Sequence, residues 1–196
     1  MIYHSALKAI NKDVVNDPVE RAEFRNMLVF RHDITLGKIP DEYNKCDLIY
    51  IEPSWKLGQE EFNRRVGKIG NDFDIFLNSV IHYIDYFYNK NIPVVLTGGE
   101  IYKKSIKFDK IYKIKLNGYP CYLLVVGDLM INNHNTQIDV QEELANRFNL
   151  VGDFCCGYGN VGMRFALKRK GFVMSDYNAK CIGYIKENMK KWYENI

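Results

Sequence analysis

Apolar and polar positions switch between two periods along this chain, and the switches outline its elements. Short apolar runs rich in Val, Ile, Leu and Phe, bounded by Gly, Pro, Asn or Asp, read as strands. They are MLVFRH (27 to 32), DLIYIE (47 to 52), IPVVLT (92 to 97), KIYKIKL (110 to 116), CYLLVV (121 to 126), LVGDFC (150 to 155) and GFVMS (171 to 175). Between the second and third, Phe73, Phe76, Leu77, Val80, Ile81, Ile84, Phe87 and Tyr88 recur at three- and four-residue steps, which predicts a helix with one face on a sheet. A shorter helix is predicted over Gln137 to Arg147, around Val140 and Leu144. A terminal helix follows the capping residue Asn178 and carries Ile182, Ile185, Met189 and Trp192 on one stripe.

Strands alternating with helices predict a three-layer α/β fold with a mostly parallel, seven-stranded sheet covered on both faces. The strands 110 to 116 and 121 to 126 are the exception. They are joined by Asn117-Gly118-Tyr119-Pro120, a hairpin signal, so an antiparallel element is expected at one edge. No repeat, low-complexity tract or linker divides the 196 residues, and one domain is expected over 1–196.

Composition narrows the class. At 47% hydrophobic and 26% charged the chain can bury one substantial core, and a net charge of +3 permits a phosphate-bearing partner without demanding one. Five cysteines, including the adjacent Cys155-Cys156, have no zinc or redox spacing and read as reduced thiols in a cytoplasmic protein. His4, His32 and His82 lack ligand spacing, and no metal is expected. No apolar run approaches the roughly 20 residues that span a bilayer, and no membrane association is expected.

Two strand ends carry candidate chemistry. The strand ending at Ile51 runs into Glu52-Pro53-Ser54-Trp55, a carboxylate, a rigid proline, a hydroxyl and a large aromatic where open α/β sheets keep their ligand crevices. Later, Asp153-Phe154-Cys155-Cys156-Gly157-Tyr158-Gly159-Asn160-Val161-Gly162 links a strand to a helix. Gly157, Gly159 and Gly162 have the G-x-G-x-x-G spacing, and Asp176 ends the next strand, where an acid can take hydrogen bonds from ribose hydroxyls. A nicotinamide or flavin enzyme would need several further strand-helix units after this loop, and the remaining chain holds one.

The order of these motifs resembles the S-adenosylmethionine-dependent amino-methyltransferases of nucleic acids, in the permuted arrangement of the beta-class N6-adenine and N4-cytosine DNA methyltransferases. EPSW is similar to that family's Asp/Asn/Ser-Pro-Pro-aromatic signature, with Glu52 and Ser54 as departures. FRHDI resembles the strand whose acid, here Asp33, reaches the adenine ring. NHNTQIDVQEELANRF resembles the His-Pro-Thr-Gln-Lys-Pro segment and its helix, keeping His134, Thr136 and Gln137.

VGDFCCGYGNVG resembles the Asp-Pro-Phe-x-Gly-x-Gly cofactor loop. The resemblance implies a Rossmann-like methyltransferase fold with a catalytic half (27–130) and a cofactor half (131–196), and no separate target-recognition domain. It implies Glu52, Pro53 and Trp55 as catalytic residues. Asp33, Thr136, Gln137, Asp153, Phe154, Cys155, Gly157, Gly159, Asp176 and Tyr177 would hold S-adenosylmethionine. The implied activity is transfer of a methyl group to an exocyclic nucleobase amine, with adenine N6 in DNA favoured. Short loops such as Lys56 to Asn71, or a homodimer or partner subunit, would supply target recognition. The competing expectations are a subunit that kept the fold and lost the chemistry, and a methyltransferase of RNA or a small nucleoside. The methyl-donor reading requires the strand ends at Ile51 and Phe154 to lie side by side.

Overall fold

The structure is a computed structural model that describes residues 21–53, 73–116 and 118–194. Its strands are β1 (Arg21–Phe24), β2 (Met27–Arg31), β3 (Leu48–Ile51), β4 (Val94–Gly98), β5 (Lys110–Leu116), β6 (Tyr119–Val126), β7 (Leu150–Asp153) and β8 (Gly171–Asp176). The helices are α1 (Phe73–Tyr88), α2 (Glu100–Ser105), α3 (Gln137–Arg147), α4 (Asn160–Leu167) and α5 (Ala179–Glu194).

The strands form one sheet in the order β1-β2-β8-β7-β3-β4-β6-β5. β2, β8, β7, β3 and β4 run parallel, and β5 and β6 form the antiparallel hairpin expected at one edge. The sheet has one strand more than the seven expected: β1 pairs antiparallel with β2 at the other edge. Arg-Ala-Glu-Phe escapes the pattern because an edge strand buries neither face fully and so shows no apolar run.

Each face of the sheet has its own core. Leu48, Tyr50, Val95, Val151, Phe172 and Met174 pack with Val140 and Leu144 of α3, Phe165 of α4, and Ile182, Ile185 and Trp192 of α5. On the opposite face Ile49, Ile51, Val94, Leu96 and Val173 pack with α1 and α2. This is the expected three-layer arrangement. Along α1 the buried positions are Phe73, Phe76, Leu77, Val80, Tyr83, Ile84 and Phe87. Tyr83 is inside and Tyr88 half exposed, the reverse of the stripe expected from the sequence. The Tyr83 hydroxyl has two polar partners, and Tyr88 lies at the helix end.

The crossover β3-α1-β4 moves one way along the sheet and β7-α4-β8 moves the other, so the topology reverses between β7 and β3. Such a switch point opens a crevice at the carboxyl ends of the strands. Those two strands are neighbours, with Leu48 opposite Val151 and Ile49 opposite Gly152. Asp47 sets this register at its base, where its carboxylate accepts from the N–H groups of Asn149 (2.8 Å) and Leu150 (2.9 Å).

Gly152 is fixed by what faces it. A Cβ there would stand 2.6 Å from Ile49 Cδ1 and 2.8 Å from Tyr43 Cδ1, both in the core. Gly152→Ala is therefore expected to cost about 1–3 kcal/mol. Thermal unfolding should report a fall of roughly 2–4 °C for each kcal/mol.

Candidate active site at the carboxyl ends of β3, β7 and β8

Three carboxylates from three neighbouring strands converge at the switch point. Glu52 follows β3, Asp153 ends β7 and Asp176 ends β8. Pro53 follows Glu52 and is buried, which ends the β3 ladder there. Trp55, the remaining residue of the EPSW stretch given a role above, lies outside the described residues, as do Ser54, Arg64, Arg65 and Lys68.

The glycine loop is shaped by its turn geometry and by Asp176. Gly157 and Gly159 have φ of 50° and 78°, in the left-handed region where a side chain is strained. A Cβ on Gly157 would meet nothing within 4 Å, so the loop surface is open there. On Gly159 it would press on Ile185 at 3.0 Å and on Met174 at 3.2 Å. The Asp176 carboxylate accepts from Gly157 N–H (2.9 Å) and Asn178 N–H (2.8 Å) and so ties the loop to the end of β8.

Asp153 is only 3% exposed. Its Oδ1 accepts from Cys155 N–H at 3.0 Å, folding the chain sharply out of β7. Phe154 turns the other way, its ring 4.6 Å from that of Tyr83 within the core over α1, so only its backbone is available to a ligand. Cys155 is half-buried, and burial with the nearby Asp153 and Asp176 charges pushes its thiol well up, which keeps it protonated. All five cysteines are unpaired.

Beyond Asp176, Asp33 and Tyr177 line an open cavity of about 490 Å³ together with Arg21, Phe30, Arg31 and His32. Asp33 caps the short 3-10 turn Ile34–Leu36, accepting from Thr35 N–H (3.0 Å) and Thr35 Oγ1 (2.7 Å). Arg31 holds Tyr177 twice, by Nε donating to its carbonyl at 3.1 Å and by the guanidinium 5.1 Å from its ring centroid.

The resembling segment before β7 opens α3. Thr136 is the N-cap of α3, its hydroxyl accepting from Asp139 N–H at 3.2 Å. Gln137 points at the acceptor side of the crevice, where its Nε2 donates to Glu52 Oε2 at 2.6 Å. His134 meets Glu143 at 2.7 Å. Burial favours a neutral Glu143, but Arg147, His134 and the Asn132 N–H outweigh it and hold the carboxyl below its ordinary value.

Sequence reading missed the residues that brace this crevice from below. Tyr43 lies in a 3-10 segment, Asp41–Lys45, with no periodic signal, yet it is fully buried. Its hydroxyl donates to Asp153 O (3.1 Å) and lies 2.7 Å from Ser175 Oγ, joining β7 to β8. Tyr83 donates to Lys38 O at 2.9 Å, so its bond of 2.7 Å with His32 requires His32 Nε2 to carry the proton. Burial lowers the His32 pKa, consistent with a neutral ring. Under Glu52, Tyr50 is hydrogen-bonded to Thr97 at 2.8 Å, and Gln141 Nε2 reaches its oxygen at 3.5 Å.

Electrostatically the site opposes its own ionisation. Burial pushes the Asp153 carboxyl well up, and the neighbouring Glu52 and Asp176 charges add to it against the Cys155 N–H. Burial raises Glu52 against Gln137, and raises Asp176 against the N–H groups of Asn178, Gly157 and Tyr177. For a carboxyl whose folded pKa lies above the unfolded one, ionisation destabilises the fold above the folded pKa. That cost fades as pH falls toward the unfolded value. Asp153→Asn keeps the acceptor for Cys155 and removes the charge. It should raise Tm by about 2–4 °C at pH 7–8, roughly 1 kcal/mol, with the gain shrinking on acidification toward about pH 4.

A donor cradle of this kind fits an adenosyl group. It offers a carboxylate at a strand end, a loop that is open at Gly157, and an aromatic ring beside a cavity of about 490 Å³. Known proteins share the architecture. The chain matches no protein-family model. Among solved structures, TTHA0409 of Thermus thermophilus, named as a DNA modification methylase, superposes with a TM-score of 0.56 at 12% identity, over 86% of this chain and 96% of that one. M1.HpyAVI in complex with SAM superposes at 0.53 with 14% identity, over 82% of this chain and 97% of that one. TTHA0409 has also been solved with S-adenosyl-L-methionine. These likenesses establish the fold, an α/β fold with a mostly parallel sheet and antiparallel edges. In sequence, the chain is 32% identical over 118 residues to the release factor glutamine methyltransferase of Borreliella burgdorferi, covering 52% of this chain and 40% of that protein. It thus spans less than half the length of that curated relative.

Proposed function

We propose that the protein is an S-adenosylmethionine-dependent methyltransferase that acts on an exocyclic nucleobase amine, with N6 of adenine in DNA as the leading acceptor. The observation that carries the reading is the adjacency of β3 and β7, which sets an acceptor residue, Glu52, beside a glycine loop and a ribose-type acid. The fold shared with TTHA0409 and M1.HpyAVI, both solved with that cofactor, supports it.

Asp176 and the turn Gly157–Gly159 would hold the ribose, Tyr177 and Asp33 the adenine side, and Asp153 with the backbone of Phe154 and Cys155 the amino-acid portion. When bound, the cofactor supplies a methyl carbon that forms a C–N bond as its C–S bond breaks, the electron pair staying on the sulfur as a neutral thioether. Glu52 would accept a hydrogen bond from the amine, orient its lone pair and draw off the proton that the nitrogen loses. The carbonyl of Pro53 would take the second N–H, and Trp55 would stack on the base.

β6 and α3 are separated by ten residues, Gly127 to Thr136, too few for a recognition domain at that point. We therefore assign target selection to a second copy or a partner subunit. Labelled methyl transfer to adenine-containing oligonucleotides, mapped by mass spectrometry of the nucleosides, tests the proposal. Label in N6-methyladenine is expected. The likeness to a release factor glutamine methyltransferase favours one second reading, in which the acceptor is the planar amide of a protein glutamine. Label in a glutamine-bearing protein and none in DNA would select it.

A further inference from the structure

Side chains alternate along β3, so Leu48 and Tyr50 face the layer of α3 while Ile49 and Ile51 face α1. Position 52 continues the first series and meets the opening turn of α3. Gln137 and Gln141, one turn apart on that helix, are 7% and 2% exposed. Buried amides must find partners. Gln141 turns to Tyr50, and Gln137 Nε2 donates to Glu52 Oε2 at 2.6 Å. An aspartate at 52 would end about 1.5 Å short, outside hydrogen-bond range. The extra methylene of Glu52 is what closes the span.

We infer that Gln137 is the positioning residue for Glu52, its amide fixing Oε2 and leaving Oε1 to the acceptor amine. The catalytic consequence rests on the methyltransferase reading, and the pairing itself does not. A glutamate held by a glutamine replaces the shorter acid that the resembling family places here. The same bond bears on ionisation. Burial disfavours the Glu52 carboxylate, and the Gln137 N–H favours it. Among the described residues, the other titratable groups around Glu52 are Tyr50 on β3, Cys121 on β6 and Asp153 on β7. Burial pushes the Tyr50 hydroxyl above its ordinary range and the Cys121 thiol up to about 11, so both are neutral near pH 7. Burial pushes the Asp153 carboxyl well up, and the Glu52 charge raises it further. Gln137 is the side-chain donor to Glu52 among the described residues.

The test is a 13C NMR titration of the glutamate carboxyls in the full chain, with the Glu52 resonance identified by its loss in Glu52→Gln. Gln137→Ala is expected to raise the Glu52 midpoint by about one pH unit or more, the effect of losing one hydrogen bond to a charged group. Gln137→Met fills the same space without a donor and should shift it equally, which separates loss of the bond from loss of packing. The acidic limb of kcat should move by the same amount, with the KM for S-adenosylmethionine within about twofold. Glu52→Asp already breaks the pairing, so adding Gln137→Ala to it should change nothing more. A Glu52 midpoint that stays put in both Gln137 variants overturns the inference even if the wild-type chain methylates DNA. A midpoint that moves while the wild-type chain transfers no methyl group upholds the pairing and overturns the methyltransferase reading.

Discussion

Glu52→Ala is expected to lower methyl transfer between about a hundred- and ten-thousandfold, the range over which a positioned acid or base acts, with affinity for S-adenosylmethionine within about threefold of the wild type. The split follows from the geometry. Glu52 lies on the β3 side of the switch point, hydrogen-bonded to Gln137, whereas the loop and Asp176 that would hold the cofactor lie on β7 and β8. Since Glu52 works as an acceptor only when ionised, kcat should fall as pH drops through its pKa, which burial places above the ordinary carboxylate value. Glu52→Gln should be nearly as inactive as Glu52→Ala and lose that acidic limb. Single-turnover methylation across pH checks all three statements. Comparable loss of cofactor binding would place Glu52 in the donor site instead.

The second large effect belongs to Asp176→Ala, which should weaken S-adenosylmethionine binding about a hundredfold or more. Two interactions of a charged group are lost with the ribose hydroxyls, each worth about 1.5–3 kcal/mol, and every 1.4 kcal/mol is tenfold in affinity. The loop also loses its tether, because both Asp176 oxygens hold backbone N–H groups, of Gly157 and of Asn178. Calorimetry with the cofactor and with its demethylated product measures this. A change below about threefold would remove Asp176 from the site.

Much of this arrangement is legible in the sequence because it is written in periodicity. The apolar period locates β2 to β8 and the helices α1, α3 and α5, and the order of strand, glycine loop, helix, strand and acid locates the donor side. Gly157 and Gly159 are readable because left-handed backbone favours glycine. What periodicity cannot encode is where a buried polar side chain finds its partner. Segment likeness assigns Gln137 to the cofactor, and the structure turns its amide to Glu52 across 85 positions of chain. Phe154 reads with the loop, yet the chain turns at Asp153 and sends the ring into the aromatic core beside Tyr83 and Phe87. Nothing local marks Tyr43 and Tyr83 as buried; β7, β8 and the 32 to 38 segment supply their hydroxyl partners. Each of these depends on contacts distant in sequence, which no local pattern records. The edge strand β1 is invisible for another reason, since half-buried alternation over four residues is too short to stand out.

The departure at position 52 looks different with the structure in hand. Read alone, a longer acid at a reacting centre suggests misalignment, and a displacement of about 1 Å can cost on the order of a hundredfold in rate. The structure pairs the longer side chain with the Gln137 donor on α3, so the carboxylate is anchored rather than extended freely into the crevice.

A crystal structure of the chain with S-adenosylhomocysteine would place donor and acceptor sides in one view. The expected electron density shows an adenosyl group over Gly157 and Gly159, ribose hydroxyls within hydrogen-bond distance of Asp176, adenine beside Tyr177 and Asp33, and the sulfur facing Glu52 across the β7–β3 boundary. A ligand bound elsewhere on the sheet, or a sulfur turned away from Glu52, would contradict it.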